Sequence, residues 1–268
     1  MNHQADARLA ILVEGIEECR LMDAHVNSYD AFTYPMSSKN AVLSAVNLLQ
    51  SSDADWALGV VDRDFGDVPS STKGVVISHS YDLIMDLVFA RSTQVQRLAV
   101  NATDPGKVVA LTKAAALTVH EIIVSCCVVV GALRHSATLG LYPGSTRDFP
   151  LDGAISAFCR GELDSFVADR GVSRAAGRLD QSAVEALIKQ RLLGGSEMSY
   201  VCGHDYAAAL ADLIRYCGGK SFGREHSATL LRSLGSRKHW LRQPVARVVS
   251  AWASERGRSI WLSGNGTA

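Results

Sequence analysis

The sequence predicts an α/β protein: a parallel sheet flanked by helices, with a helical insertion and a helical C-terminal region. Three observations predict it. Over the first ninety residues, short apolar runs alternate with segments of helical periodicity, the pattern of strands joined by covering helices. Two of those runs, "LVEG" and "VVDRDF", end directly in acidic residues, where parallel sheets collect functional groups. From about residue 104 to residue 200 the apolar spacing is helical, broken at "GLYPGSTRDFPLDG".

The elements follow in order. "RLAILVEG" is a short apolar strand, and Ile16, Cys19, Leu21 and Met22 in "IEECRLMDAHV" fall near helical spacing. "SSKNAVLSAVNLLQSS" opens with a serine cap and repeats Val42, Val46 and Leu49, a second helix. "WALGVV" is a buried strand, "DRDFGDVPSSTKG" a loop, "VVIS" a further strand and "YDLIMDLVFARS" a third helix. "NATDPG" signals the start of a buried helix: Thr103 or Asp104 can cap it and Pro105 suits its first turn. From "CGHDYAAALADLIRYCGG" onward the pattern predicts two or three helices with glycine breaks, then a polar tail.

At 268 residues and 47% hydrophobic content the chain can bury a substantial core. Its formal net charge is zero, but unevenly spread: residues 1–104 hold 14 acids against 7 Lys and Arg, and residues 215–258 hold 10 Lys and Arg against 2 acids. One end suits metal and the other an acidic partner such as nucleic acid. The six cysteines include no CxxC pair and no zinc spacing with histidine, which predicts reduced, mostly buried thiols in a cytoplasmic protein. No signal peptide is predicted at the N-terminus. "EIIVSCCVVVGALRH" is shorter than the ~20 apolar residues of a membrane span, so a buried helix and no membrane association are expected.

Glu14 closes the first strand, and Asp62 and Asp64 close the strand "WALGVV". If those strands are neighbours, three carboxylates converge. Alone they repel, and some hold a proton; Mg²⁺ or Mn²⁺, hard cations that prefer oxygen ligands, removes the conflict. The plainer alternatives are a first-turn acid favoured by the helix dipole for Glu14 and turn-capping for the two aspartates. Glu17, Glu18 and Asp23 read as a solvated helix face. Lys39 opens the second helix as a partner for a substrate phosphate or as ordinary surface. His79, Asp82 and His204 read individually as hydrogen-bonded structural residues.

These motifs resemble the TOPRIM domain of topoisomerases, primases and OLD-type nucleases, in which a glutamate closes the first strand and a DxD closes a later one. More narrowly, "VEGIEEC", "SSKNAVLSAV", "GVVDRDFG", "SHSYDL" and "CGHDYAAAL" are similar to segments of the OLD-like TOPRIM effectors of PARIS-type anti-phage systems, which act beside an ABC-type ATPase. The resemblance covers residues 9–90 and recurs near 202–210. It implies a TOPRIM-like core over residues 1–103, a helical insertion over 104–200, and a helical basic region over 201–268 that completes the core. It also implies Glu14, Asp62 and Asp64 as ligands of one or two Mg²⁺ or Mn²⁺ ions, with Glu18, where relatives tend to have an acid, as a further candidate at the metal. Lys39, like Arg63, is a catalytic candidate because a cation there can neutralise charge that develops in the transition state. Asp82 and "GHDY" with His204 become accessory candidates. Relatives often carry another acid in the helix after the DxD strand, and this chain has Ile84 where the resemblance leads one to expect Glu.

The implied activity is metal-dependent cleavage of DNA or RNA by a toxic effector restrained by an ATPase partner, with self-association left open. Arg63 and the basic C-terminal segment, Arg237, Lys238 and Arg242 above all, are the expected phosphate contacts, with Trp240 placed to stack on a base. Val245, Val248, Val249 and Trp252 fall on one helical stripe, so the same segment also predicts an amphipathic helix. Two alternatives stand beside the nuclease. One is a non-catalytic TOPRIM module that binds an ATPase or nucleic acid. The other is a DxD phosphatase-like hydrolase, which commonly has a threonine where Gly66 stands and does not need Glu14.

Overall fold

In the computed structural model of the chain, which describes residues 8–52, 54–65, 73–192, 197–219 and 223–262, the first ninety residues alternate strand and helix. They form β1 (Leu9–Val13), α1 (Ile16–Asp23), β2 (Ala31–Pro35), α2 (Lys39–Ser51), β3 (Ala57–Val61), β4 (Val75–Ile77) and α3 (Leu83–Ala90). Helices follow: α4 (Ser92–Ala102), α5 (Pro105–Ala115), α6 (Val119–Thr138), α7 (Ala154–Cys159), α8 (Leu163–Arg174), α9 (Gln181–Leu192) and α10 (Glu197–Tyr200). The last are α11 (Gly203–Tyr216), α12 (Arg224–Ser233), α13 (Arg237–Trp240) and α14 (Pro244–Ser254). The fold is therefore α/β with a helical C-terminal region. The loop expected after β3 lies partly outside the described residues, and the polar tail after Leu262 does so entirely.

The chain packs as two compact units, residues 1–87 with 235–268 and residues 88–234. The divisions fall there rather than at 103/104 and 200/201. The physical reason is that α4 and α11 each bury apolar residues and pack with α6 in the second unit.

In the first unit the sheet runs β2-β1-β3-β4 and every pair is parallel. Alternation along β1 sends Leu9, Ile11 and Val13 to one face, where they join Cys19, Leu21 and Met22 of α1, Leu83 and Leu87 of α3, and Val245 and Val249 of α14. Ala10 and Leu12 point the other way, onto Val42 and Val46 of α2. Gly59 in β3 lets α2 approach closely: a Cβ there would stand 2.8 Å from a Val42 methyl. Thus α1 crosses from β1 to β2 on one face and α2 crosses from β2 to β3 on the other. The order of connection reverses between β1 and β3, the point at which open parallel sheets leave a crevice beyond their carboxyl ends.

β2 has no counterpart in the sequence-based elements. It is an edge strand whose exposure rises toward Pro35, so it carries no continuous apolar run, and a proline is tolerated there because an edge has an unpaired side.

In the second unit α6 is the central helix, with Val119 through Ser136 contributing its buried face. It is long and apolar enough to cross a membrane, but most of it is buried inside the protein, as the core helix of this unit. Its start corrects the expected one. Asp104 and Pro105 begin the separate helix α5, with Asp104 accepting from the Gly106 N–H at 2.9 Å. α6 instead opens on a capping box in which Thr118 and Glu121 bond each other's backbone N–H groups. Gly131 is required where the Tyr200 carbonyl crosses α6, since a Cβ would lie 2.0 Å from that oxygen. Cys159 is exposed; the other five cysteines are buried, and all six are free thiols.

α14 buries Val245, Ala246, Val249 and Ala253, while Val248 is exposed. The buried stripe is rotated from the one expected because small alanines, invisible to a search for large apolar residues, occupy half of it.

Candidate functional site

β1 and β3 pair in parallel with Val13 opposite Val60, so Glu14 and Asp62 leave adjacent strands at the same end. The Asp62 N–H donates to Glu14 Oε1 at 2.8 Å. This is the β1/β3 reversal point, and on it the Glu14 carboxylate meets the Asp62 backbone. Asp62 in turn accepts from the Leu83 N–H at 3.3 Å, which ties the DxD to the start of α3.

Asp64 adopts a left-handed backbone, φ 50°, a conformation that aspartate tolerates better than most residues. Four hydrogen bonds hold the turn. The Asp64 N–H donates to the Tyr81 carbonyl at 3.0 Å. The Arg63 N–H donates to Ser78 Oγ at 2.8 Å. Lys39, the first residue of α2, donates through Nζ to the Arg63 carbonyl at 3.0 Å and to Asp64 Oδ2 at 3.1 Å.

The electrostatics record the crowding. Asp62 keeps some solvent access but lies among enough protein that its carboxyl is well above its ordinary pKa; removal from water is the largest cause, followed by the charges of Asp82, Glu18, Glu14 and Asp64. Glu14 is also raised, by burial first and by Asp64 and Glu18 after it, with the Asp62 N–H and Lys39 pulling the other way. Glu18 folds back toward Gly15, where a Cβ would meet its Oε2 at 3.0 Å, and it presses on both Glu14 and Asp62. Of its neighbours on α1, Glu17 pairs with Arg20 at 2.7 Å and Asp23 accepts from Thr33 Oγ1 at 2.5 Å.

The donors gathered here are carboxylates and a backbone carbonyl, the hard oxygen set that suits Mg²⁺ or Mn²⁺. Among the described residues no three acidic, histidine or cysteine groups already stand as a closed ligand set; Asp64 is engaged with Lys39.

Other expected residues take different places. Asp82 caps α3, accepting from the Met85 N–H at 2.8 Å, while its charge still acts on Asp62. Ile84 packs against the apolar cluster beneath α3, so an acid at its position would be directed into core. Arg63 is exposed at the carboxyl end of β3, with Nε donating to the Ser78 carbonyl at 3.2 Å. His204 belongs to the second unit, where Nδ1 lies 2.9 Å from an Arg224 nitrogen, and Arg224 is itself ion-paired with Asp148.

Of the basic C-terminal residues of the first unit, Arg237, Arg256 and Arg258 lie toward the opposite end of the sheet. Trp240 is 1% exposed and stacks on His25 at 5.3 Å, so it is a core residue and has no face for a base. Burial is the main reason His25 has a lowered pKa, and nearby Arg237 lowers it further. His25 follows α1, which starts beside Glu14 and whose eight residues span about 12 Å. Arg256 pairs with Asp55 and Arg258 with Asp30, residues that precede β3 and β2. Lys238, Arg242 and Arg247 are exposed.

Ser78 and Asp86 were not singled out in the sequence. Ser78 Oγ fixes the DxD turn through the Arg63 N–H, and Asp86 accepts from the His79 and Ser80 N–H groups. The available signal was the polar cluster "SHSYD" between a strand and a helix, the composition of a side-chain-capped turn.

Comparison with protein-family models, curated proteins and solved structures yields no match.

Proposed function

We propose that this protein is a metal-dependent nuclease that cuts phosphodiesters in DNA or RNA, built on a TOPRIM-like core of the OLD kind. The observation that carries the reading is the meeting of Glu14 and Asp62 at the β1/β3 reversal point, with Asp64 and Glu18 beside them. Two desolvated carboxylates with raised pKa values are an arrangement that a protein keeps at a cost to stability, and such costs concentrate at functional sites.

Glu14, Asp62 and Asp64 would hold Mg²⁺ or Mn²⁺, and a cation bound there polarises a phosphate and acidifies an attacking water. The chain's own groups supply the rest. The Asp62 N–H orients the Glu14 carboxylate, the Leu83 N–H orients Asp62, and Lys39 stands beside Asp64. Arg63, exposed at the same end, is placed to meet negative charge that develops on a phosphate.

The test is incubation of the purified protein with mixed DNA and RNA in Mg²⁺, Mn²⁺ or EDTA, beside a Glu14→Ala control. Cleavage that needs the metal and Glu14 supports the nuclease; binding without cleavage moves the assignment to a non-catalytic module. By resemblance we further propose a cytoplasmic anti-phage effector restrained by an ABC-type ATPase. Expression alone is then harmful with Glu14 intact and tolerated with Glu14→Ala.

A further inference from the structure

Lys39 stands where a cation is disfavoured. It is the first residue of α2, at the end of a helix where the dipole is positive and acids are stabilised. The helix start does not need it, because Ser38 already caps α2 by accepting the Ala41 N–H at 3.2 Å. Its cost must be offset elsewhere, and its bonding partners show where. The ammonium donates to the Arg63 carbonyl at 3.0 Å and to Asp64 Oδ2 at 3.1 Å, and its charge also reaches Glu14. Its side chain is 19% exposed, against 39% for Asp64.

A carbonyl and a carboxylate, with a second carboxylate in electrostatic range, form the environment a hard divalent cation takes. The charges of Glu14, Glu18, Asp64 and Asp82 all act on Asp62, and those of Asp64 and Glu18 act on Glu14; Lys39 is a positive side chain set among them. Arg63 spends its Nε on Ser78, away from the carboxylates.

We infer that Lys39 is the resident counter-cation of this centre, holding Asp64 in the metal-free protein and competing with the divalent ion for that carboxylate. The inference rests on the metal-binding reading above and adds an exchange: arrival of the divalent ion frees the ammonium from Asp64. The freed ammonium then remains at the α2 N-terminus, at the carboxyl end of the sheet, and is available to a phosphate oxygen. Because two cations that share one carboxylate oppose each other, the coupling is reciprocal, and removing one strengthens the other.

The experiment is calorimetric titration of the full chain with Mn²⁺, without nucleic acid, for wild type, Lys39→Met, Lys39→Gln, Lys39→Arg and Asp62→Ala. Lys39→Met and Lys39→Gln are expected to bind Mn²⁺ about tenfold more tightly than wild type, within the usual range of coupling between sites. Lys39→Arg, which keeps the charge, stays near wild type, and Asp62→Ala loses binding. Two neutral replacements guard against one that misfolds, and their thermal unfolding is followed in parallel. Unchanged or weaker Mn²⁺ affinity in a folded neutral variant overturns the inference while leaving the metal site standing. Absence of wild-type binding, or binding that survives Asp62→Ala, overturns the metal reading and the inference with it.

Discussion

The backbone N–H of Asp62 donates to Glu14 Oε1 at 2.8 Å, so the residue that closes β1 is bound to the residue that closes β3. Glutamine keeps an oxygen acceptor at that position but not the charge. Glu14→Gln should therefore fold with an unfolding free energy within about 1 kcal/mol of wild type, the scale of one hydrogen bond, and lose metal-dependent cleavage. Denaturant unfolding and the cleavage assay read the two effects separately; retained cleavage would remove Glu14 from the ligand set.

Asp62 predicts a pH dependence in the metal-free protein. Its folded pKa lies well above the ordinary 3.8, chiefly through burial. The folded state therefore holds a proton over a range in which the unfolded chain has released it. Stability from protonated Asp62 is complete below the ordinary value and is lost as pH rises through the folded pKa. Asp62→Asn, which keeps an acceptor for the Leu83 N–H, should raise the metal-free unfolding temperature at pH 7. The gain should shrink toward zero as pH falls below 3.8. A gain that does not vary with pH would sink this account.

Trp240 carries the opposite expectation from a surface aromatic. It is stacked on His25 and set edge-on to Trp261, with 1% of its surface exposed. Trp240→Ala should cost about 3–5 kcal/mol of stability, as large-to-small core replacements do. Binding to single-stranded nucleic acid, measured on the protein that remains folded, should not change. Wild-type stability with weakened binding would return Trp240 to a stacking role.

Lys238 and Arg242 are exposed, whereas Arg237 is drawn toward His25. If duplex lies over this segment, Lys238→Glu with Arg242→Glu should lower the salt slope of binding by about two, near one for each phosphate no longer neutralised. Turnover of bound substrate should be almost unaffected, because these residues sit near the end of α1 remote from Glu14. An unaltered slope would assign the patch to a protein partner or to solvent, and would leave Arg63 as the phosphate-binding residue to test next.

The strands β1, β3 and β4 and the caps of α2 and α5 were legible because each is a local pattern. An apolar run that ends in an acid, or a serine placed before a periodic segment, carries its meaning within about one helical turn. β2 was not legible, since "AFTYP" is half exposed and takes its identity from its neighbour β1. "NATDPG" is a sound helix cap, but it opens α5, so the local pattern sets the start of α6 too early.

The sequence by itself determined the α/β class and set Glu14, Asp62 and Asp64 at strand ends, because alternation and strand termination are properties of a few consecutive residues. Tertiary structure alone decided that β1 and β3 are neighbours, that their order reverses between them, and that Lys39 rather than Arg63 faces Asp64. It also turned Trp240 inward onto His25. Strand order and side-chain partners depend on contacts between residues tens to hundreds of positions apart, which the pairing of whole faces selects and no local window encodes.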